Sequence, residues 1–163
     1  MRKLLFVLFF VNVCAFVCSQ KTNQEIIEAS REGVDFIGNN ELIERINANP
    51  KLILLDVRNK EEYDAGHLKG AAWVERGLVE FTLSRTLREP DAEIIVYCQS
   101  GNRSALVVKT LKQMGYKNVK SHIGLVEWIK EGYSIYNYLG EIKVVNLSIS
   151  GTANPVNYYL DKK

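Results

Sequence analysis

"IVYCQSGNRSALVVKTLKQMGY", residues 95–116, passes from an apolar run through a loop of small polar residues into a stretch of helical periodicity. The run starts upstream as "AEIIVYC" and shows no alternation, the pattern of a strand in a parallel sheet covered on both faces. From Asn102 to Met114, Ala105, Leu106, Val108 and Leu111 recur at helical spacing, and Gly115 closes the segment. Cys98 therefore stands at the carboxyl end of a strand, the edge at which open α/β sheets form their sites. Between it and the body of the helix lie Gln99, Ser100, Gly101, Asn102, Arg103 and Ser104, none of which fills a core. A loop of this kind can present backbone N–H groups to an anion at a helix N-terminus. Those donors, the helix dipole and Arg103 all favour thiolate over thiol at Cys98. Cys98 is the candidate nucleophile, and residues 99–104 are the candidate substrate-binding loop. A free cysteine is more often buried packing, but Gly, Asn and Arg in this order have no packing role of their own.

The flanking segments extend the same architecture. "KLILLDV" is a second continuous apolar run, preceded by "NNELIERINANP", a short amphipathic helix with Asn39 or Asn40 as its cap and Pro50 as its stop. "NKEEYDAGHLKGA" offers a polar turn of helix ending at Gly66, "AAWVE" a short strand, and "RGLVEFTLSRTLRE" a helix ending before Pro90. "KNVKSHI" reads as a further strand and "GLVEWIKEGY" as a last helix. Short apolar strands alternating with helices predict an α/β domain with a mainly parallel central sheet and helices on both faces.

Four ordered stretches carry a family resemblance. "YCQSGNRSA" resembles the active-site loop of the single-domain rhodaneses, in which a cysteine opens a loop that wraps around it. "LLDVRNKEEYDAGHLKGA" is similar to that family's strand and turn ahead of the site, with Asp56, Arg58, Tyr63, Gly66, His67, Gly70 and Ala71 in order. "HIGLVEWIKEGY" resembles its closing segment, although Ile123 replaces one of two usual glycines and Tyr133 a frequent proline. "RGLVEF" resembles a segment found in a subset of its members, and the resemblance as a whole covers residues 38–133. It implies a rhodanese-like fold and sulfur transfer: a Cys98 thiolate takes sulfur from a small anionic donor such as thiosulfate and passes it to cyanide or a thiol, including a protein thiol. Asp56 and Arg58 are read as a supporting ion pair that braces the loop. His67 is read as a turn-stabilising residue and Trp128 as core.

Two rival functions share this architecture. A sulfur-carrying or protein-binding module would keep the thiol without turnover. Cysteine-dependent phosphatases related to the rhodaneses have a loop one residue longer than the four residues that separate Cys98 from Arg103 here. His67, His122 and one thiol give no metal-ligand spacing, so neither a metal nor a cofactor is expected.

The N-terminus bears on partners and compartment. Arg2 and Lys3 precede an apolar run from Leu4 to Val17, with Val17 and Ser19 placed as in a cleavage site, which predicts a signal peptide over residues 1–19. The run is shorter than the roughly 20 residues of a spanning helix, so no stable membrane insertion is expected after cleavage. Loss of Arg2 and Lys3 reduces the 21 basic residues to 19, equal to the 19 acidic ones, and a neutral chain gives no reason to expect a nucleic-acid partner. Cys14 and Cys18 leave with the signal, so Cys98 has no partner for a disulfide. Asn102 and Asn146 both match glycosylation acceptors, but a glycan on Asn102 would block the loop. Export to a bacterial periplasm is expected, with secretion as the alternative. The remaining expectations are a lead segment over 20–37 and a loosely packed C-terminal extension over 134–163, the alternative for the latter being a partner-docking tail that uses Tyr136, Tyr138, Tyr158 and Tyr159.

Overall fold

The computed structural model describes residues 21–144; the expected signal segment, Asn146, Tyr158 and Tyr159 lie outside them. In chain order the elements are α1 (Asn23–Arg31), β1 (Phe36–Ile37), α2 (Asn39–Ala48), β2 (Ile53–Asp56), α3 (Lys60–Ala65) and β3 (Ala72–Trp73). A 3-10 turn (Arg76–Leu78) leads into α4 (Val79–Thr86), followed by β4 (Ile94–Tyr97), α5 (Asn102–Gln113), β5 (Val119–His122), α6 (Leu125–Lys130), β6 (Ile135–Asn137) and β7 (Gly140–Ile142).

Strands β1 to β5 form one sheet in the order β1-β5-β4-β2-β3, with every pair parallel. The two continuous apolar runs are its centre, β2 and β4, which pair from Ile53 opposite Ile94 to Asp56 opposite Tyr97. Because side chains along a strand alternate between faces, these strands feed two separate cores. Leu55, Ile94, Val96 and Cys98 pack with Val79 and Leu83 of α4 and Val107, Val108 and Leu111 of α5. Leu54, Ile95 and Tyr97 pack on the other side with Leu42 of α2 and Leu125 of α6. Burial on both faces is why neither strand alternates polar with apolar residues. Helices lie on both faces of a parallel sheet, as the residue pattern predicts.

Three boundaries differ from the sequence expectation. The lead segment is built into the fold: α1 starts with a capping box in which the side chains of Thr22 and Glu25 each accept from the other's backbone N–H, and Lys109 of α5 donates to the Ala29 carbonyl. Residues 36–37 then form the edge strand beside β5. The cap of α2 is Gly38, and Asn39 is helical with its side chain turned inward. Residues 135–142 are an ordered antiparallel hairpin, not a loose extension. Tyr136 exchanges backbone hydrogen bonds with His67, and Trp128 Nε1 donates to the Ser134 carbonyl. Ile135 is buried so closely against Gly66 that a β-carbon on that glycine would meet its Cδ1 at 2.4 Å. Tyr138 and Leu139 form the exposed tip.

A buried isoleucine replaced by alanine loses its transfer energy and leaves a cavity. Ile135→Ala is therefore expected to lower stability by about 2–3 kcal/mol in urea unfolding. The ±0.5 kcal/mol or so typical of surface positions would mean that the hairpin is not docked.

Candidate active site

Cys98 follows directly on β4, and the next residues turn around it before α5 begins. Gly101 caps α5 with φ 82°, and a β-carbon there would lie 3.0 Å from Arg31 Nη1 and 3.1 Å from both the Ile123 carbonyl oxygen and the Phe36 ring. Glycine is needed both for the left-handed backbone and for this close approach. Across the loop, Gly124 has φ 123°, and a β-carbon there would fall 2.6 Å from the Gln99 carbonyl oxygen and 2.8 Å from Ser100 Cα. The loop thus lies directly on the start of α6.

Hydrogen bonding orients its peptide groups. The Cys98 carbonyl accepts from Leu125 N–H at 2.9 Å and the Gln99 carbonyl from Val126 N–H at 3.1 Å, so the first turn of α6 finds its acceptors in the loop. The Ser100 carbonyl accepts from Arg31 Nη1 at 3.3 Å, and the Gly101 carbonyl accepts from Ala105 N–H and Ser104 Oγ, both at 3.0 Å. All four carbonyls of residues 98–101 are therefore tethered. A trans peptide holds its N–H opposite its C=O, so the amides of residues 99–102 point away from those tethers. Among the described residues, the N–H groups of residues 99–104 have no acceptor.

The sulfur is enclosed. Cys98 is fully buried, Ser104 Oγ lies 3.7 Å from its Sγ, and Ser104 Oγ is paired at 2.8 Å with Ser121 Oγ. Both serines are fully buried, so the structure places Ser104 beneath the cysteine, whereas Ser100 is exposed and Gln99, Asn102 and Arg103 are partly so. Arg103 reaches away to α3, where its two terminal nitrogens each bind a Glu62 carboxylate oxygen at 2.7 Å. Glu62 favours the charged guanidinium most strongly, and Cys98 adds to this. Burial alone would raise the Glu62 pKa, but Arg103 and the Asn59 N–H hold it below its ordinary value. Arg103 accordingly braces the loop against α3.

Asp56 and Arg58 form a buried pair, with Arg58 Nη2 at 2.7 Å from both Asp56 Oδ2 and the Gly66 carbonyl. Burial alone would lower the Arg58 pKa, and Asp56 more than offsets it. Trp73 Nε1 donates to the Arg58 carbonyl, joining the end of β2 to α3 and β3. Removing one partner of such a buried pair typically costs about 3–5 kcal/mol. His67 stacks on Tyr63 at 3.9 Å and bonds its carbonyl through Nδ1, a turn-stabilising arrangement. A surface groove lined by Asn49, Lys51, Ile53, Glu93 and Asn118 among others lies at the opposite end of the strands from Cys98.

Four contributors escape sequence reasoning: Arg31, Glu62, Ser121 and His122. Only Glu62 leaves a local signal, three residues after Asn59 in a capping box. The others reach the loop solely through tertiary contact. His122 is fully buried; its Nδ1 accepts from Gly124 N–H at 3.2 Å, so Nε2 donates to Asn39 Oδ1 at 2.8 Å.

The rhodanese-like domain model matches residues 39–131, and the chain belongs to that family. It is 36% identical over 87 residues to YtwF of Bacillus subtilis, a sulfurtransferase by name, covering 53% of this chain and 82% of YtwF. It is 35% identical over 86 residues to YrkF of the same organism, a sulfur carrier by name, covering 52% of this chain and 45% of YrkF, so the matched stretch spans under half of that relative. The polysulfide-sulfur transferase of Wolinella succinogenes shares the fold with a TM-score of 0.61 at 24% identity, over 70% of this chain and 86% of its own.

Burial pushes the His122 imidazole down to about 4. Between its ordinary pKa of about 6.5 and that value, the unfolded chain binds a proton that folded His122 does not. The stability associated with neutral His122 is therefore complete above about pH 6.5 and is lost as the pH falls toward 4, by about 3 kcal/mol in all. Urea unfolding at a series of pH values should show a steeper acid loss in the wild type than in His122→Gln.

Proposed function

We propose that this protein is a sulfurtransferase that moves sulfane sulfur from an anionic donor such as thiosulfate to cyanide or a thiol through a persulfide on Cys98. The observation that carries this reading is the loop in which every carbonyl of residues 98–101 is tethered while the amides of residues 99–104 have no acceptor among the described residues. Such a cradle suits one cysteine that must bear negative charge both as thiolate and as persulfide. In the first step the Cys98 thiolate attacks the outer sulfur of thiosulfate, a new S–S bond forms, the old one breaks, and sulfite leaves with the bonding pair. In the second, cyanide or a thiolate attacks the terminal sulfur, and Cys98 departs as thiolate. Splitting the transfer in this way lets one cysteine serve both halves, as nucleophile in the first and leaving group in the second, and an ionised thiol needs no base.

The carrier reading draws support from the 35% identity to YrkF and from the enclosure of Cys98, which suits handover to a docked protein acceptor. The persulfide is common to the transferase and sulfur-carrier readings, and they differ in whether the protein itself turns over donor and acceptor. A phosphatase is disfavoured by the short span from Cys98 to Arg103, and a dithiol oxidoreductase by the lack of a second cysteine after Cys18. We further place the protein outside the cytoplasm, in a periplasm, on the strength of Arg2, Lys3 and the apolar run that follows them.

Treatment with thiosulfate should add one sulfur atom to the intact protein by mass spectrometry, and cyanide should remove it as thiocyanate. Cys98→Ser is expected to abolish both while the protein still folds and unfolds cooperatively. Wild-type protein that gains no sulfur would overturn the reading.

A further inference from the structure

We infer that Arg31 recruits the anionic sulfur donor to the Cys98 loop and fixes the peptide that receives it, an inference that rests on the sulfurtransferase reading. Arg31 is the last residue of α1, and thus lies ahead of the residues 39–131 that match the family. Its Nη1 donates to the Ser100 carbonyl at 3.3 Å and to Asn102 Oδ1 at 3.1 Å, and its guanidinium carbon sits 4.1 Å from the centre of the Phe36 ring. The side chain is therefore held by the loop on one side and by the edge strand on the other.

Two guanidiniums touch the loop, and they differ in what they have left to offer. Arg103 is matched to the Glu62 carboxylate through both terminal nitrogens. Arg31 has no carboxylate partner among the described residues, and its hydrogen bonds there all run through Nη1. A guanidinium has five N–H donors in a planar fork, so Nε and Nη2 keep theirs for an incoming oxyanion. By holding the Ser100 carbonyl, Arg31 also turns the N–H of the same peptide, that of Gly101, in the opposite direction and so completes the row of free amides. The arm itself is secured, because α1 is tied to α5 by Lys109 to the Ala29 carbonyl, and Lys112 of α5 holds Asp35 at 2.9 Å.

A charge that selects the donor acts on an anion and not on a neutral substrate. The test uses the full chain and its Arg31→Met and Arg31→Lys variants, comparing thiosulfate turnover to thiocyanate with the reaction of a neutral dialkyl trisulfide, whose central sulfur the Cys98 thiolate attacks as an alkyl thiolate leaves, read as the rate of thiolate release. Arg31→Met is expected to slow both donors by a common factor through loss of the Ser100 tether, to cut kcat/KM for thiosulfate about tenfold further than for the trisulfide, chiefly through KM, and to weaken the salt dependence of the thiosulfate reaction alone. Arg31→Lys keeps the charge and should recover most of the thiosulfate KM. An Arg31→Met variant that matches the wild type with thiosulfate, or that loses both donors equally, overturns the inference while leaving the Cys98 chemistry intact. Wild-type protein that takes sulfur from neither donor overturns the reading of Cys98 and this inference with it.

Discussion

The site depends on where four carbonyl groups point. Leu125 and Val126 hold those of Cys98 and Gln99, Arg31 holds that of Ser100, and the first turn of α5 holds that of Gly101. Peptide planarity then leaves the amides no freedom. The arrangement is possible because Gly124 lets the loop approach within a distance that any β-carbon would forbid, and because Gly101 takes a backbone conformation that other residues avoid. Each tether also satisfies a need elsewhere. Helix α6 begins with orphan N–H groups, and the loop carbonyls supply their acceptors.

Around this cradle the ionic groups are sorted by task. Asp56 and Arg58 are withdrawn from solvent and hold the end of β2 against the turn at Gly66. Glu62 completes the cap of α3 and neutralises Arg103, so one carboxylate links a helix start to the loop. The Ser104 hydroxyl lies against the sulfur and is itself held by Ser121, and neutral His122 aligns Gly124. With most charges committed internally, the electrostatic character of the loop comes from main-chain dipoles and Arg31.

What the sequence reveals and what it conceals follow from the range of the forces involved. β2 and β4 are legible because burial on two faces imposes an apolar run that any reader can see, and Cys98 with its loop is legible because nucleophile, glycine and helix start are contiguous. Asn39 misleads, since an asparagine at a helix start has the chemistry of a cap, yet the buried imidazole of His122 offers its side chain a stronger claim. The hairpin was open to reading: Ile135, Asn137 and Gly140 frame a two-residue turn, but the polar and aromatic residues around it mask the pattern of alternation. The Thr22–Glu25 box likewise announces α1. Arg31 and Ser121 carry no local mark at all, because their role exists only once α1 and β5 have been brought to the loop.

A cradle made of main chain separates two properties that side-chain sites must alter together. Gln99 is partly exposed and Ser100 exposed, while the groups of theirs that shape the backbone are their peptide units. Substitution at these two positions would change the steric and polar surroundings met by whatever approaches Cys98 without redrawing the row of amides. The loop is thus a natural place for divergence: a lineage, or an experimenter with a small library, could retune acceptor preference there while the electrostatic support of the sulfur passes unchanged from one variant to the next.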